Sequence, residues 1–483
     1  MSGYSYYLFR IFISLLCITS VAANLHSQEL TLADPLLVFP TINVTKTNAP
    51  AEGNIYMTNL SYIPTAYDSY MMILDNSSRT IFKQINSSLL GSMDFRPQQN
   101  GLYTYYDEKA KKYYGLDPNF NLKDSFEVQG LTPDDHELQC FSDGSYILLG
   151  AHIDTVDMSK LVAGGNSAAL VTFQTLQEFD KHKKLIFSWD TKDHYQITDA
   201  IYSGLTGKSI DVTHINSIER DSDGNFIISS RSQSEVTKIN ANDGSVIWRM
   251  GGRHDQFTHT DFDTFNYQHD VRRLSNGNIT LFDNGNNSSS FTPYSRAVEY
   301  EIDEKAMTMK RVWQFRHSPD IFAQAMGSVQ RLASGNTMIG WGFSDGTALT
   351  EVAPDGSISL EMTWDKNILN YRVYKFTDQE VANMQAHLNA VQNESHSGIT
   401  LDQNYPNPIS SSSMIRFSTS EYGQVHLEVF DALGREVKIL FDGSIPPGNY
   451  SVKFEAENLS DGVYFYRLIT PKASLSRMMN LVK

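Results

Sequence analysis

The amino-acid sequence predicts an all-β protein, a six-bladed β-propeller followed by a small C-terminal β-sandwich. Three observations carry this expectation. The segments SDGSYILLG (142–150), SDGNFIISS (222–230), SNGNITLFD (275–283) and SGNTMIGWG (334–342) repeat one unit, a tight turn feeding a strand of β-branched and aromatic residues, with NGLYTYYD (100–107) as a weaker copy. Self-similarity of this kind marks a repeat architecture. Each copy is followed by a second hairpin, and four of the five tryptophans, Trp189, Trp248, Trp313 and Trp364, occupy the same place in it. From residue 401 the repeat stops and a new alternating pattern begins.

In chain order, residues 1–23 read as an export signal: Arg10, the apolar run Ile11 to Ile18, then the small residues Val21, Ala22 and Ala23. The run is shorter than the ~20 residues a membrane span needs, and no later stretch approaches that length. Cys17 leaves with the signal and Cys140 stands alone, so the mature chain forms no intramolecular disulfide; Leu16 argues against lipid attachment at Cys17. The propeller is placed at 24–385. Its N-terminal blade is NIYMTNL (54–60) with YMMILDNSSRTIFKQ (70–84), closed by NYRVYKF (370–376). The five repeat copies then pair with second hairpins at 116–128, 179–189, 239–250, 302–315 and 352–364, giving about four short strands each. Charged, helix-compatible residues 377–395 and NESHSGIT (393–400) lead into a linker at 386–400. At 401–483, alternating strands are separated by turns at Ala432-Leu433-Gly434, Pro446-Pro447-Gly448 and Ser460-Asp461-Gly462, as in a β-sandwich.

Charge excludes some functions. With 39 Lys+Arg against 55 Asp+Glu the net charge is −16, a field that repels nucleic acid and anionic membranes. An anionic substrate therefore needs a local cationic pocket. No GxxxxGK[ST] phosphate loop is present, and Asp-rich turns such as Asp221-Ser222-Asp223-Gly224 lack the later ligands of a calcium loop.

The repeat itself places a candidate site. Counting back eight residues from the turn glycines Gly144, Gly224 and Gly277 reaches His136, Asn216 and His269; the same count from Gly335 and Gly101 reaches Gly327 and Met93. His214 lies two residues before Asn216, on the same face of an extended strand. Counting forward seven from Gly224 and Gly277 reaches Arg231 and Asn284, level with those positions on the neighbouring strand. A polar ring at one mouth of the channel results. Three histidines could ligate zinc, but Arg231 would repel a dication, so no metal is assigned. His182, His194, His254, His259, His317, His387 and His426 fall on loops or outer hairpins and are expected to be solvated; His152 lies near the mouth.

HINSIERDSDGNFIISSRSQSEVTKIN, GSVIWRMGG, YQHDVRRLSNGNITLFDNGN and MGSVQRLASGNTMIGWG resemble the bacterial arylsulfate sulfotransferase family over about residues 50–380. The resemblance implies a six-bladed propeller that moves a sulfuryl group from a phenolic sulfate ester to a phenolic acceptor without phosphoadenosine phosphosulfate and without a cofactor. It implies His269 as the transiently sulfurylated nucleophile. His214, Asn216 and Arg231 would hold the sulfuryl oxygens, His136 would complete the catalytic set as acid and base, and Ser328 would stand for a family hydroxyl. With Asn284 as a further substrate ligand, His214 is expected to be protonated and His136 to titrate near neutrality. LDQNYPNP, VFDALGREV and LSDGVYFYRL resemble the C-terminal sorting domain of type IX secretion substrates. That likeness implies export through the periplasm to the outer surface or the medium, with the type IX machinery as partner of residues 401–483; an ordinary carbohydrate-binding or adhesive sandwich is the alternative. For the chain as a whole, a non-catalytic ligand- or glycan-binding propeller and an arylsulfate hydrolase remain alternatives.

Overall fold

The computed structural model describes residues 38–63, 67–86, 91–201, 204–259, 264–286 and 293–386, and residues 399–482 apart from a few short segments. The expected signal at 1–23, most of the expected linker, His387 and the turn at 432–434 lie outside the described residues.

Local turn chemistry builds the hairpins. Gly101, Gly144, Gly224, Gly277 and Gly335 adopt φ between 84° and 90°, a region that residues with a Cβ rarely occupy. Each of these glycines donates its N–H to the carbonyl three residues earlier at 2.9 Å. The five repeats therefore fold through one and the same turn.

The described residues are nearly all β. Between residues 43 and 376 the strands form six sheets. Five follow the chain: Ser92–Pro97 to Leu122–Phe126, Thr132–Cys140 to Leu185–Asp190, Ile215–Arg220 to Val246–Gly251, His269–Arg273 to Thr308–Phe315, and Ser328–Arg331 to Ile358–Thr363. The sixth joins the two ends of this region, because Val373–Phe376 pairs antiparallel with Asn54–Thr58, Tyr374 opposite Tyr56. A second seam comes from Asn43–Thr47, which adds to the far edge of Ile358–Thr363. The first strands of successive sheets lie against one another in order, from Ser92–Pro97 through Thr132–Cys140, Ile215–Arg220, His269–Arg273 and Ser328–Arg331 to Val373–Phe376.

The core sits between faces of adjacent sheets. Ile147, Leu149 and Trp189 of one sheet pack with Ile218, Phe226 and Ile228 of the next, and Ile227 and Trp248 pack in turn with Val271, Ile279 and Tyr300. The repeated tryptophans sit on the last strand of their units or directly after it. Trp189, Trp248 and Trp364 are buried, whereas Trp313 is only partly covered and carries the Arg331 guanidinium 4.0 Å above its ring.

The only helix among the described residues longer than one 3₁₀ turn spans 378–386. It starts with a capping box: the Thr377 hydroxyl accepts the Glu380 N–H at 3.2 Å and the Glu380 carboxylate accepts the Thr377 N–H at 2.8 Å. Beyond it, two antiparallel sheets, one of Ile399–Leu401, Ser412–Thr419 and Gly448–Glu455, the other of Gly423–Asp431, Glu436–Ile445, Gly462–Ile469 and Ser474–Leu481, share one cluster that includes Ile415, Phe417, Leu427, Phe454 and Tyr466.

Candidate active site

The three expected histidines lie midway along Thr132–Cys140, directly before Ile215–Arg220 and at the start of His269–Arg273. His136 lies within Thr132–Cys140. His214 precedes Ile215–Arg220 with φ of 50°, and the ladder slips at Asn216, between Ile215 and Ser217. His269 opens His269–Arg273, followed by Asp270 at φ 57° and a slip between His269 and Arg272. Such bulges redirect side chains that a regular strand would send elsewhere. Because His214 is in the left-handed region, the period of two does not relate it to Asn216. Arg231 opens the single-turn helix Arg231–Gln233 directly after Phe226–Ser230, and its N–H donates to the His214 carbonyl at 3.1 Å, which holds the two residues level.

The three histidines differ in charge. His136 Nδ1 lies 2.7 Å from Asp134 Oδ1 and 3.0 Å from Asp135 Oδ1. Burial opposes its protonation, but the two carboxylates outweigh burial and push its pKa up to about 10, so it is an imidazolium at neutral pH. His214 packs edge-on to His136, ring centroids 4.6 Å apart, and its Nδ1 meets Asp211 Oδ2 at 2.5 Å. Burial and then Arg231 lower its pKa, which leaves it neutral. This corrects the expectation of a protonated His214, and of a His136 that titrates near neutrality. Burial and then Arg231 also hold His269 well below the ordinary histidine value. Its Nδ1 is 2.7 Å from Asn284 Oδ1 and 3.1 Å from the Tyr267 carbonyl, and its Nε2 accepts the Met326 N–H at 3.2 Å.

Arg231 supplies a cation with a spare donor. It lies in the field of Asp211, Tyr267, Tyr62 and Tyr371, stands 5.7 Å from the Tyr267 ring, and its buried Nε has no hydrogen-bond partner among the described residues. The nearby Tyr62, half exposed, stacks on Phe343 at 5.6 Å. Its hydroxyl is pushed up to about 12, by burial first and then by Asp135 and Glu108.

Three expected substrate ligands have other work. The Asn216 amide nitrogen donates to the Gln268 carbonyl at 2.7 Å, and its buried Oδ1 has no partner among the described residues, so Asn216 presents an acceptor rather than the expected donor. The Ser328 hydroxyl donates to the Val373 carbonyl at 3.1 Å and accepts the Val373 N–H at 3.0 Å, tying two first strands together. Both ends of the Asn284 amide are engaged: Nδ2 donates to the carbonyls of Ala323 and Met326 at 2.8 and 3.0 Å, while Oδ1 faces His269. Ser328 and Asn284 are thus saturated by protein partners.

Outside the site, His317 is buried against Glu361 at 2.8 Å and not solvated. His152 pairs with Asp190 at 2.8 Å and stacks on Phe173. Asp134, Asp135 and His136 place their ligand atoms within 4.8 Å of one another, a grouping that could hold a cation; here the His136 ring itself provides the positive charge between the two carboxylates.

Sequence reasoning missed Asp134, Asp135, Tyr62 and Tyr371. The run Asp134-Asp135-His136 was a visible signal, since adjacent carboxylates raise an imidazole pKa. Tyr371 donates its hydroxyl to the His136 carbonyl at 3.0 Å across a separation of 235 residues, which no local pattern announces. The first strands also carry a buried charge cluster. Arg372 is 3.1 Å from Asp94 and 2.9 Å from Glu137, Arg272 is 2.8 Å from Glu137 and 2.7 Å from Asp270, and Arg96 contacts both Asp94 and Glu137.

Residues 403–480 match the family described as the secretion system C-terminal sorting domain. The arylsulfate sulfotransferase AssT of Escherichia coli O6:H1 is 31% identical over 166 residues, 27% of this chain and 27% of that protein. The arylsulfate sulfotransferase AssT of Lelliottia amnigena is 34% identical over 101 residues, 19% of this chain and 17% of that protein. The chain thus aligns with about a quarter or less of the length of these relatives. A solved structure of a protein of unknown function from Bacteroides caccae is similar at 10% identity and a TM-score of 0.44, covering 68% of this chain and 99% of that one. The family described as arylsulfotransferase (ASST) matches residues 41–375, more than two thirds of the chain, and the chain belongs to it.

Proposed function

We propose that this chain transfers a sulfuryl group from an aryl sulfate to a phenol in two steps through a sulfurylated His269, with the six sheets as blades of a propeller around the site. One observation carries the reading: a buried neutral imidazole, His269, lies in the field of a guanidinium with a free buried N–H and of an imidazolium, Arg231 and His136. That combination is a nucleophile beside an anion receptor. Sulfuryl transfer, like phosphoryl transfer, passes through a loose transition state with charge on the peripheral and leaving oxygens, so the protein's task is to position and to neutralise.

In the first step the His269 lone pair forms an N–S bond while the S–O bond to the aryl oxygen breaks, its electron pair going to that oxygen. Arg231 faces the sulfuryl oxygens. His136 gives its proton to the departing phenolate. A phenol has a pKa of about 10, so His136, itself pushed up to about 10, is matched to that oxygen and the proton passes with little free-energy change in either direction. In the second step neutral His136 takes the acceptor phenol's proton as its oxygen attacks sulfur and the N–S bond breaks.

Residues 401–483 act as a sandwich-type sorting domain that delivers the enzyme through the type IX machinery to the cell surface or medium, after a signal at 1–23 directs export. The support is the match of 403–480 to that domain family. No helix among the described residues is long and apolar enough to cross a membrane.

Brief mixing with 4-nitrophenyl sulfate, followed by peptide mass spectrometry, tests the reaction. A sulfuryl adduct on the peptide containing His269, absent in His269→Ala and discharged by phenol, is expected. Nitrophenolate release that ignores phenol would make the protein a hydrolase, and no release with or without phenol would make it a binding protein.

A further inference from the structure

Both nitrogens of His269 depend on residues 323–326, Nε2 directly through the Met326 N–H and Nδ1 through Asn284, whose amide that segment fixes. The Asn284 side chain is fully buried, and the carbonyls of Ala323 and Met326 both face its Nδ2. A flipped amide would set its oxygen against two carbonyl oxygens, so the orientation is fixed and Oδ1 must point at His269 Nδ1. Only a protonated Nδ1 can satisfy that acceptor, and the Tyr267 carbonyl, also at Nδ1, makes the same demand. Nε2 then carries the lone pair, which the Met326 N–H meets at 3.2 Å. The segment is shaped for this double contact. Met326 has φ of 63° and Gly327 of 105°, and a Cβ at Gly327 would lie 2.5 Å from the Phe282 ring.

We propose that Asn284 is a positioning residue that locks His269 in the Nδ1–H tautomer, making Nε2 the atom that receives the sulfuryl group and keeping the Nδ1 proton in place throughout turnover. The inference rests on His269 being the nucleophile. When the Nε2 lone pair forms the N–S bond and the S–O electron pair leaves with the phenolate, the ring becomes a cation bearing SO₃ on Nε2 and H on Nδ1. Asn284 Oδ1 accepts that more acidic N–H and stabilises the cation without removing its proton. When the acceptor oxygen attacks, the N–S pair returns to Nε2 and the resting tautomer is restored. Attack requires the Met326 N–H to leave Nε2, so the 323–327 segment must yield as the donor enters.

The charged and titratable groups facing His269 are Arg231, His214 and His136; the Asp270 carboxylate is turned to Arg272 and to the Val329 N–H. None of these accepts from Nδ1, which leaves Asn284 and the Tyr267 carbonyl as the tautomer-setting groups.

Nitrogen-15 NMR of the full chain labelled at histidine tests this directly, His269 being assigned by its loss in His269→Gln. Wild type is expected to show His269 protonated at Nδ1 and bare at Nε2, and the mass-labelled adduct to sit on Nε2. Asn284→Ala removes the shorter of the two acceptors at Nδ1, leaving only the Tyr267 carbonyl and the Met326 N–H to oppose the other tautomer, so the Nε2–H share should rise above that of wild type and kcat/KM should fall by about 10²-fold. Asn284→Asp, whose second oxygen must carry a proton to meet the Ala323 and Met326 carbonyls, keeps an acceptor at Nδ1 and should retain the Nδ1–H tautomer that Asn284→Ala loosens. Unchanged shifts of the other histidines establish that each variant is folded. A wild-type ring protonated at Nε2, an adduct on Nδ1, or a tautomer and kcat/KM in Asn284→Ala equal to those of wild type would overturn the proposal. Absence of any adduct on wild-type His269 would instead overturn the sulfohistidine reading, with the resting tautomer still reporting on Asn284.

Discussion

Arginines occur here in two settings, three of them on or directly before first strands and one just beyond the second strand Phe226–Ser230, and the settings are built on opposite principles. Arg96, Arg272 and Arg372 each face carboxylates of Asp94, Glu137 or Asp270, and Glu137 alone contacts all three. Arg231 has a buried Nε without a partner among the described residues, two neutral histidines for neighbours, and one carboxylate in its field, Asp211, which is itself bound to His214. Burying a guanidinium is costly unless it is paired, so the first group is closed by its own anions, whereas the second leaves the cation incompletely answered. The lesson is that residue type does not separate structure from chemistry here; pairing does.

The contrast can be broken experimentally. Glu137→Ala removes the shared anion from three buried guanidiniums and should destabilise the fold by about 3–5 kcal/mol, read as a lowered urea midpoint. A shift below about 1 kcal/mol would mean that the cluster does not hold the strands together. Arg231→Ala should act in the opposite sense, lowering kcat/KM for an aryl sulfate by about 10²–10³-fold with little change in the urea midpoint. Stability lost without activity would reverse the assignment.

His136→Gln sharpens the comparison through the leaving group. With phenyl sulfate, whose phenolate needs a proton, the loss should approach about 10²-fold or more, while 4-nitrophenyl sulfate, a better leaving group, should be far less affected. Equal losses for both donors would remove His136 as the acid.

A smaller effect follows from linkage. The His136 pKa is raised in the fold, to about 10 from an unfolded value of ~6.5. Its contribution to stability is fully present below about pH 6.5 and is lost as pH rises through about 10. Denaturant midpoints should decline over that window in wild type and decline less in His136→Gln. The smallest effect is expected at Ser328→Ala, which should cost about 1 kcal/mol of stability through the lost Val373 contacts and leave kcat nearly unchanged. A large loss of kcat there would restore Ser328 as a substrate ligand.

Much of the site was legible because the hairpin turn is. A glycine at φ near 85° fixes where each strand reverses, so counting from it reaches His136, Asn216 and His269 in different sheets, and Arg231 and Asn284 across their hairpins. What those side chains do was not legible. Asn284 and Ser328 look like ligands until Ala323, Met326 and Val373 arrive from distant segments to occupy them. His214 and His136 look alike until Asp134 and Asp135 close on one ring and Arg231 faces the other. Tyr371 and Arg372 escaped notice because they reach the site only where Val373–Phe376 pairs with Asn54–Thr58, far away in sequence.

Short-range features of the sequence account for the β character, the repeated turn, the likeness to arylsulfate sulfotransferases and to a sorting domain, and the turn spacing that reaches His136, His269 and Arg231, while the left-handed backbone of His214 falls outside any strand period. Turns and strand periods are short-range properties, set by φ preferences and by side chains a few residues apart. Which histidine is charged, which nitrogen of His269 keeps its lone pair, and which amides are already bonded follow from the folded arrangement alone. Those properties depend on burial and on partners tens to hundreds of residues away, and the field at a buried imidazole is the sum of groups that folding alone assembles.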